Sequence, residues 1–224
     1  MTKKKGKLII VEGGDFSGKS TFINNLKSKM NFKDNYKFTR EPGNLLNTNN
    51  KVICEDIRNM LLNKELGPIA QTMLFARSRI LHTKDIINEL NKGTNVVCDR
   101  YVLSSFAYQA YAGDLGYYEV FKANRTALEM LRENNIDVHV LVFKINKENY
   151  NKRKELRNKS VGLDAIERKD EEFFNKVSDF FNEDIYIDYV PNEAVTMNIH
   201  TIDANESIDK VFSQGINILN TIIK

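Results

Sequence analysis

The stretch that decides the reading is Leu8-Ile9-Ile10-Val11-Glu12-Gly13-Gly14-Asp15-Phe16-Ser17-Gly18-Lys19-Ser20-Thr21. Leu8 to Val11 is a short unbroken apolar run, the signature of a strand buried on both faces. From Gly13 the chain follows the pattern G-x-x-x-x-G-K-[ST], and residues 21–30 then take up the apolar spacing of a helix. Between a strand and a helix, the glycines let the backbone curl until its N–H groups converge on phosphate oxygens at the helix N-terminus. Gly13, Gly14, Asp15, Phe16, Ser17, Gly18, Lys19, Ser20 and Thr21 are therefore the expected residues of a nucleoside triphosphate site. Lys19 supplies a cation for the β- and γ-phosphates, and Ser20 a hydroxyl ligand for Mg2+.

Outward from this loop the chain repeats strand, then helix. Residues 36–39, 95–98, 138–143 and 199–202 read as further strands. Residues 52–63, 69–91, 103–111, 119–133, 147–158, 164–181 and 207–223 read as helices. The segment 184–197 is harder to place, with Ile185-Tyr186-Ile187 a candidate extra strand. The alternation predicts an α/β fold, a five-stranded parallel sheet with helices on both faces. At 224 residues, 42% hydrophobic and 28% charged, the chain suits one large domain, and neither a disordered nor a collagen-like chain has this composition. A net charge of +3 is too small to argue for a nucleic-acid partner. No run of about 18 apolar residues predicts a membrane span. The apolar stretch behind the lysine-rich start is too short for a secretory signal. Cys54 and Cys98 have neither disulfide-framework nor zinc-site spacing, so a reducing, cytoplasmic setting is expected.

Three further clusters carry chemistry. Asp99-Arg100-Tyr101 closes the third strand, where a carboxylate lies beside the phosphate loop and can hold Mg2+ directly or through water. Arg100 can span two phosphates with its forked donors. Ser105, Tyr108 and Gln109 follow at helical spacing on one face. Thr39-Arg40-Glu41-Pro42-Gly43 offers Arg40 as a second phosphate clamp at another strand end. Phe75 and Arg79, four apart on a helix, can stack a base and hydrogen-bond its edge. Each cluster also has a plainer reading: Asp99 as a helix cap, Arg40 in a surface ion pair, Phe75 in the core with Arg79 in solvent.

In this order the motifs resemble those of the thymidylate kinase family, within the P-loop nucleoside monophosphate kinases. The resemblance rests on Glu12-Gly13-x-Asp15-x-x-Gly18-Lys19-Ser20-Thr21, Thr39-Arg40-Glu41-Pro42-Gly43, Phe75-Ala76-x-x-Arg79-x-x-His82 and Asp99-Arg100-Tyr101-x-x-Ser104-Ser105-x-Ala107-Tyr108-Gln109. Leu163-Asp164-x-x-Glu167 and the run Ile199 to Ala204 add to it. It implies a P-loop NTPase-like three-layer α/β/α fold, a single domain over 1–224 with a small helical lid at about 147–163, and a homodimer. It also implies Mg2+-dependent transfer of the ATP γ-phosphoryl group to dTMP, giving dTDP and ADP for dTTP synthesis.

By the same resemblance Phe75 would stack on thymine while Arg79, Gln109 and Ser105 read its edge. Tyr108 would pack under the sugar and crowd out a 2′-hydroxyl. Asp15 would accept the 3′-hydroxyl or organise water near the metal, and Arg40 and Arg100 would hold the acceptor phosphate. Lys19, Asp15 and Arg100 are the expected catalytic residues inside the cleft. The loop interior Gly14-Asp15-Phe16-Ser17 has no arginine, so the basic stretch 152–159 must supply one, Arg153 or Arg157. The chain departs from the family pattern in Asn44-Leu45-Leu46-Asn47 after Gly43, and in Phe16, bulkier than the usual loop residue. A broader deoxynucleoside monophosphate kinase, a deoxynucleoside kinase and a non-kinase P-loop ATPase or switch remain alternatives.

Overall fold

Every residue of strand β1 (Leu8–Gly13) is buried, as an apolar run demands in a sheet covered on both sides. Its companions are β2 (Tyr36–Arg40), β3 (Asn95–Asp99), β4 (Val138–Lys144) and β5 (Met197–Asp203). All pair in parallel, in the order β2-β3-β1-β4-β5. The computed structural model describes residues 4–29, 35–43, 45, 50–158 and 169–223. The helices are α1 (Lys19–Lys29), α2 (Lys51–Asn63), α3 (Pro68–Asn91), α4 (Val102–Ser105), α5 (Tyr117–Glu133), α6 (Lys147–Asn158), α7 (Glu171–Asn182) and α8 (Ile208–Ile223).

The two-residue period of the strands divides the interior into two cores. Leu8, Ile10, Val138, Val140 and Val142 face a layer built from Ile86 and Leu90 of α3, Leu128 and Leu131 of α5, and Phe180 and Phe181 of α7. Ile9, Val11, Leu141 and Phe143 face the opposite layer, with Phe22 and Leu26 of α1 and Leu219 and Ile222 of α8. Gly215 brings α8 close to α1, because a Cβ there would fall on the Phe22 ring. These are the three layers expected of the fold.

Pairing register sets where the chemistry can lie. Val11 and Arg40 both stand opposite Asp99 on its two sides, so β2 and β3 end level and β1 runs two residues further, to Gly13. The chain leaves β1 for β2 on one side and reaches β4 on the other, so a crevice opens at the strand ends beside β1. Pro68 begins α3 behind Gly67, a position where its missing N–H costs nothing.

Two expected elements differ. The helix read over 103–111 is the short α4 followed by a π-helical turn, Phe106–Tyr111. The proposed strand at Ile185-Tyr186-Ile187 is a 3-10 turn, Ile185–Tyr189. In that turn Tyr186 alone is buried, near Phe181, while Ile187 is exposed, so there is one apolar anchor rather than a strand face. The helix read from 164 begins at Glu171, capped by the Asp170 carboxylate, which accepts the Phe173 N–H at 2.8 Å. Residues 164–168 lie outside the described residues, as do the 163–167 motif and the outer part of the expected lid. Among the described residues no helix is long and apolar enough to cross a membrane.

Candidate active site

The phosphate loop leaves β1 through Gly13, at φ 142°, and enters α1 after Gly18, at φ 96°, backbone that L side chains rarely adopt. Lys19 is buried, and its ammonium donates to the carbonyls of Gly13 at 2.9 Å and Gly14 at 2.6 Å and to Ser17 Oγ at 3.3 Å. Burial, helped by the nearby Arg100 guanidinium, lowers its pKa to about 8. ATP phosphates beside this ammonium would raise that value again, so binding takes up a proton wherever the unliganded lysine is partly neutral. ATP affinity is therefore expected to be flat below about pH 8 and to fall by up to about tenfold per pH unit above it. Calorimetry near pH 9 in buffers of different ionisation enthalpy should show uptake approaching one proton; binding with no proton uptake there would contradict it.

At the end of β3 the backbone of Arg100 turns left-handed, with φ 68°. This strain, of order 1–3 kcal/mol, swings its guanidinium back over the loop. It donates to Asp15 Oδ1 at 2.6 Å, Ser104 Oγ at 3.1 Å, Gly13 carbonyl at 3.3 Å and Tyr108 Oη at 3.3 Å. Tyr108 donates its hydroxyl to Asp15 Oδ2 at 2.7 Å. Beneath them, fully buried Glu12 accepts the N–H of Tyr101 at 2.7 Å, the N–H of Ser104 at 3.2 Å and the Ser104 hydroxyl at 2.6 Å. Burial pushes the Glu12 carboxyl up, against the pull of the Ser104 hydroxyl. Glu12 thus ties the end of β1 to the turn that carries Arg100.

Two pockets open on these residues. The smaller, of about 180 Å³, is lined by Asp15, Glu41, Pro42, Arg58, Leu62, Phe75, Arg79, Arg100, Tyr101, Ser104, Ser105, Tyr108 and Gln109. The larger, of about 560 Å³, is lined by Asp15 to Phe22, Asn25, Asp99, Arg100, Arg153, Glu206, Ile208, Val211 and Phe212. They share Asp15 and Arg100.

The floor of the smaller pocket is a buried polar network. Arg79 donates to Glu41 Oε2 at 2.6 Å, Ser105 Oγ at 3.2 Å, Tyr101 carbonyl at 3.2 Å and Asn124 Oδ1. Four of its five N–H groups are thereby used. Glu41 meets His82 Nδ1 at 3.2 Å through its other oxygen, and His82 Nε2 meets Thr39 Oγ1 at 2.8 Å. Gln109 donates to Gln71 Oε1 at 3.4 Å. The wider π turn spreads Tyr108 toward Asp15 and Gln109 toward α3 while keeping both on the pocket wall, and such turns recur at functional sites.

Of the residues expected to bind substrate, the structure brings Asp15, Phe75, Arg79, Arg100, Ser105, Tyr108 and Gln109 into one pocket. Arg40 is not with them. It is exposed at the end of β2 and lines neither pocket, whereas Arg58 of α2 does, donating to the Pro42 carbonyl at 2.8 Å. In the larger pocket Ser20 and Asp99 stand together, and the buried Asp99 Oδ1 has no hydrogen-bond partner among the described residues. A hydroxyl and an unpartnered carboxylate oxygen suit Mg2+, which prefers hard oxygens and takes most of its shell from water and phosphate. Arg153 donates to the Phe16 carbonyl at 3.1 Å and the Ala204 carbonyl at 2.6 Å. Arg157 falls in α6, and its side chain lies outside the described residues.

Sequence reasoning gave no separate role to Glu12, Glu41, Arg58 or Asn124. Glu12 and Glu41 lay inside quoted motifs, but nothing in the sequence marks a carboxylate as buried. Arg58 and Asn124 sat in helices with no motif around them.

A phosphate loop, a second pocket sharing its Asp15 and Arg100, and a five-stranded parallel sheet are the marks of a P-loop nucleotide-binding protein. Residues 11–214 match the family profile described as thymidylate kinase. The thymidylate kinase of Ligilactobacillus salivarius is 33% identical over 225 residues, covering 98% of this chain and 100% of the relative. That of Finegoldia magna is 34% identical over 217 residues, 94% of this chain and 96% of the relative. The Mycoplasmopsis pulmonis protein is 31% identical over 217 residues, 94% and 86% respectively. The chain belongs to the thymidylate kinase family. It is a kinase that phosphorylates dTMP with ATP.

Proposed function

We propose that the larger pocket holds Mg2+-ATP and the smaller one dTMP, with the transferred phosphoryl group passing between them at Asp15 and Arg100. The observation that carries this reading is that, among the described residues, these two belong to both pockets. Phosphoryl transfer depends mainly on positioning and on neutralising spread negative charge. Lys19 holds the β- and γ-phosphates, Arg100 and Arg58 the acceptor phosphate, and Arg153 brings a further guanidinium to the donor side. Arg40 reaches the acceptor only by a movement of its exposed side chain. Arg157 is the other candidate from α6.

Ser20 and Asp99 would hold Mg2+, which supplies charge neutralisation on the phosphates when bound. Phe75 stacks on the base and Arg79, Ser105 and Gln109 face its edge. Tyr108 and Asp15 take the sugar side, where the Tyr108 ring leaves little room for a 2′-hydroxyl. The acceptor phosphate is already ionised, so no dedicated base is assigned.

The chain is read as one nucleoside monophosphate kinase domain over 1–224, with α6 part of a lid at about 147–163. A cytoplasmic setting fits the buried thiols of Cys54 and Cys98. A homodimer is supported by exposed apolar side chains on α2 and α3, among them Val52, Ile69 and Met73.

A coupled ADP-release assay with ATP and each nucleoside monophosphate, with Mg2+ or with EDTA, tests the reading. Turnover confined to dTMP, weaker with dUMP and abolished by EDTA, is expected. Equal turnover with several monophosphates would overturn the base assignments, and turnover in EDTA would overturn the metal's.

A further inference from the structure

Helix α6 meets the phosphate loop through two residues one turn apart, Tyr150 and Arg153. Arg153 lies against the loop closely enough that a Cβ on Gly18 would sit 3.4 Å from its Nη1. Tyr150 is 4% exposed, and the Phe16 ring stands edge-on to it, with centroids 5.4 Å apart and planes at 77°. The same residue that offers its ring to Tyr150 offers its carbonyl to Arg153. Phe16 does so at φ 60°, in the left-handed region that glycine enters freely and an L side chain only at a cost. Such a conformation persists only where the surroundings hold it. Here the surroundings include helix α6, one ring below the apex of the loop and one guanidinium beside it.

We propose that Phe16 is a positioning residue whose ring, seated on Tyr150, joins the apex of the phosphate loop to helix α6 and so sets the reach of Arg153 toward the ATP phosphates. Loop and helix then move as one body, and a side chain does at this turn what a glycine would leave undone. The contact is carried by the ring of Tyr150, since its hydroxyl is buried with no partner among the described residues. The inference rests on the donor-side role proposed for Arg153.

Steady-state kinetics with ATP and dTMP on five variants test it, each checked for folding by thermal denaturation. Phe16→Gly and Tyr150→Leu should each lower kcat about tenfold, as small displacements of positioning groups do. The KM for dTMP should stay within about twofold, because neither residue lines the smaller pocket. The Phe16→Gly/Tyr150→Leu double variant should be no slower than the slower single one, the mark of two residues acting through one contact. Tyr150→Phe keeps the ring and should retain kcat within about twofold of the parent. Effects that multiply in the double variant, or a Tyr150→Phe variant as slow as Tyr150→Leu, would overturn the joint. The fifth variant, Arg153→Ala, separates the two readings. If it keeps the parent kcat, the arginine's role falls; if it loses kcat while Phe16→Gly does not, the joint alone falls.

Discussion

Arg100→Ala should lower kcat/KM for dTMP by about a thousandfold, equivalent to about 4 kcal/mol of lost transition-state stabilisation. The size follows from position: Arg100 lines both pockets with Asp15, where the proposed donor and acceptor sites meet. Its forked donors are already aimed by Asp15, Ser104 and the Gly13 carbonyl, so little reorganisation accompanies the reaction. Arg100→Lys keeps the charge and loses the fork, and about a hundredfold loss is expected. Both variants should fold, because the side chain is partly exposed, at 22%. A kcat/KM within tenfold of the parent for Arg100→Ala would remove this residue from the transfer step.

The second large effect concerns stability. Glu41→Ala should cost about 3–5 kcal/mol, because it leaves the Arg79 guanidinium buried without its carboxylate. The side chains of this pair are 1% and 4% exposed, and His82 Nδ1 loses its partner as well, keeping only Thr39 on Nε2. For a chain of this size the melting temperature should drop by roughly 10 °C. Replacing both partners, as Glu41→Leu with Arg79→Met, should recover much of that loss and none of the dTMP affinity. Denaturation and binding measured on the same three proteins separate the two roles. A Glu41→Ala variant as stable as the parent would show that Asn124, Ser105 and the Tyr101 carbonyl suffice to hold the arginine.

The fold could be read in the sequence because its signals are local and periodic. Leu8 to Val11 followed by the glycine-rich loop determine a strand, a turn and a helix start from adjacent residues, and the other strands follow as short runs between helical patterns. The π turn at Phe106–Tyr111 was not legible, since an added residue in a helical turn leaves the apolar spacing almost unchanged. Ile185-Tyr186-Ile187 suits strand and tight turn alike, and tertiary packing of the single ring of Tyr186 selects the turn.

The pocket residues carried by motifs, from Phe75 and Arg79 to Ser105, Tyr108 and Gln109, could be named because the motifs resemble those of the family, helical spacing only placing each group on one face of its own helix. Burial of charge could not be seen. Arg40 and Arg58 are alike as residues, and only the path of the chain between β2 and α2 decides that the second lines the pocket. Glu12, Glu41 and Asn124 hold the site from below through long-range hydrogen bonds, which leave no trace in spacing.

The strand order has a consequence for how the chain is made. β1 emerges first, yet its two neighbours are β3 and β4, and its register with β4 extends to Phe143. This strand therefore waits, without a sheet partner on one side, until the chain through β4 has left the ribosome. Such long-range pairing is slow and exposes sticky surface while it lasts. Truncated chains that stop short of β4 should associate with chaperones or aggregate, whereas chains that include it can close the centre of the sheet around the first strand.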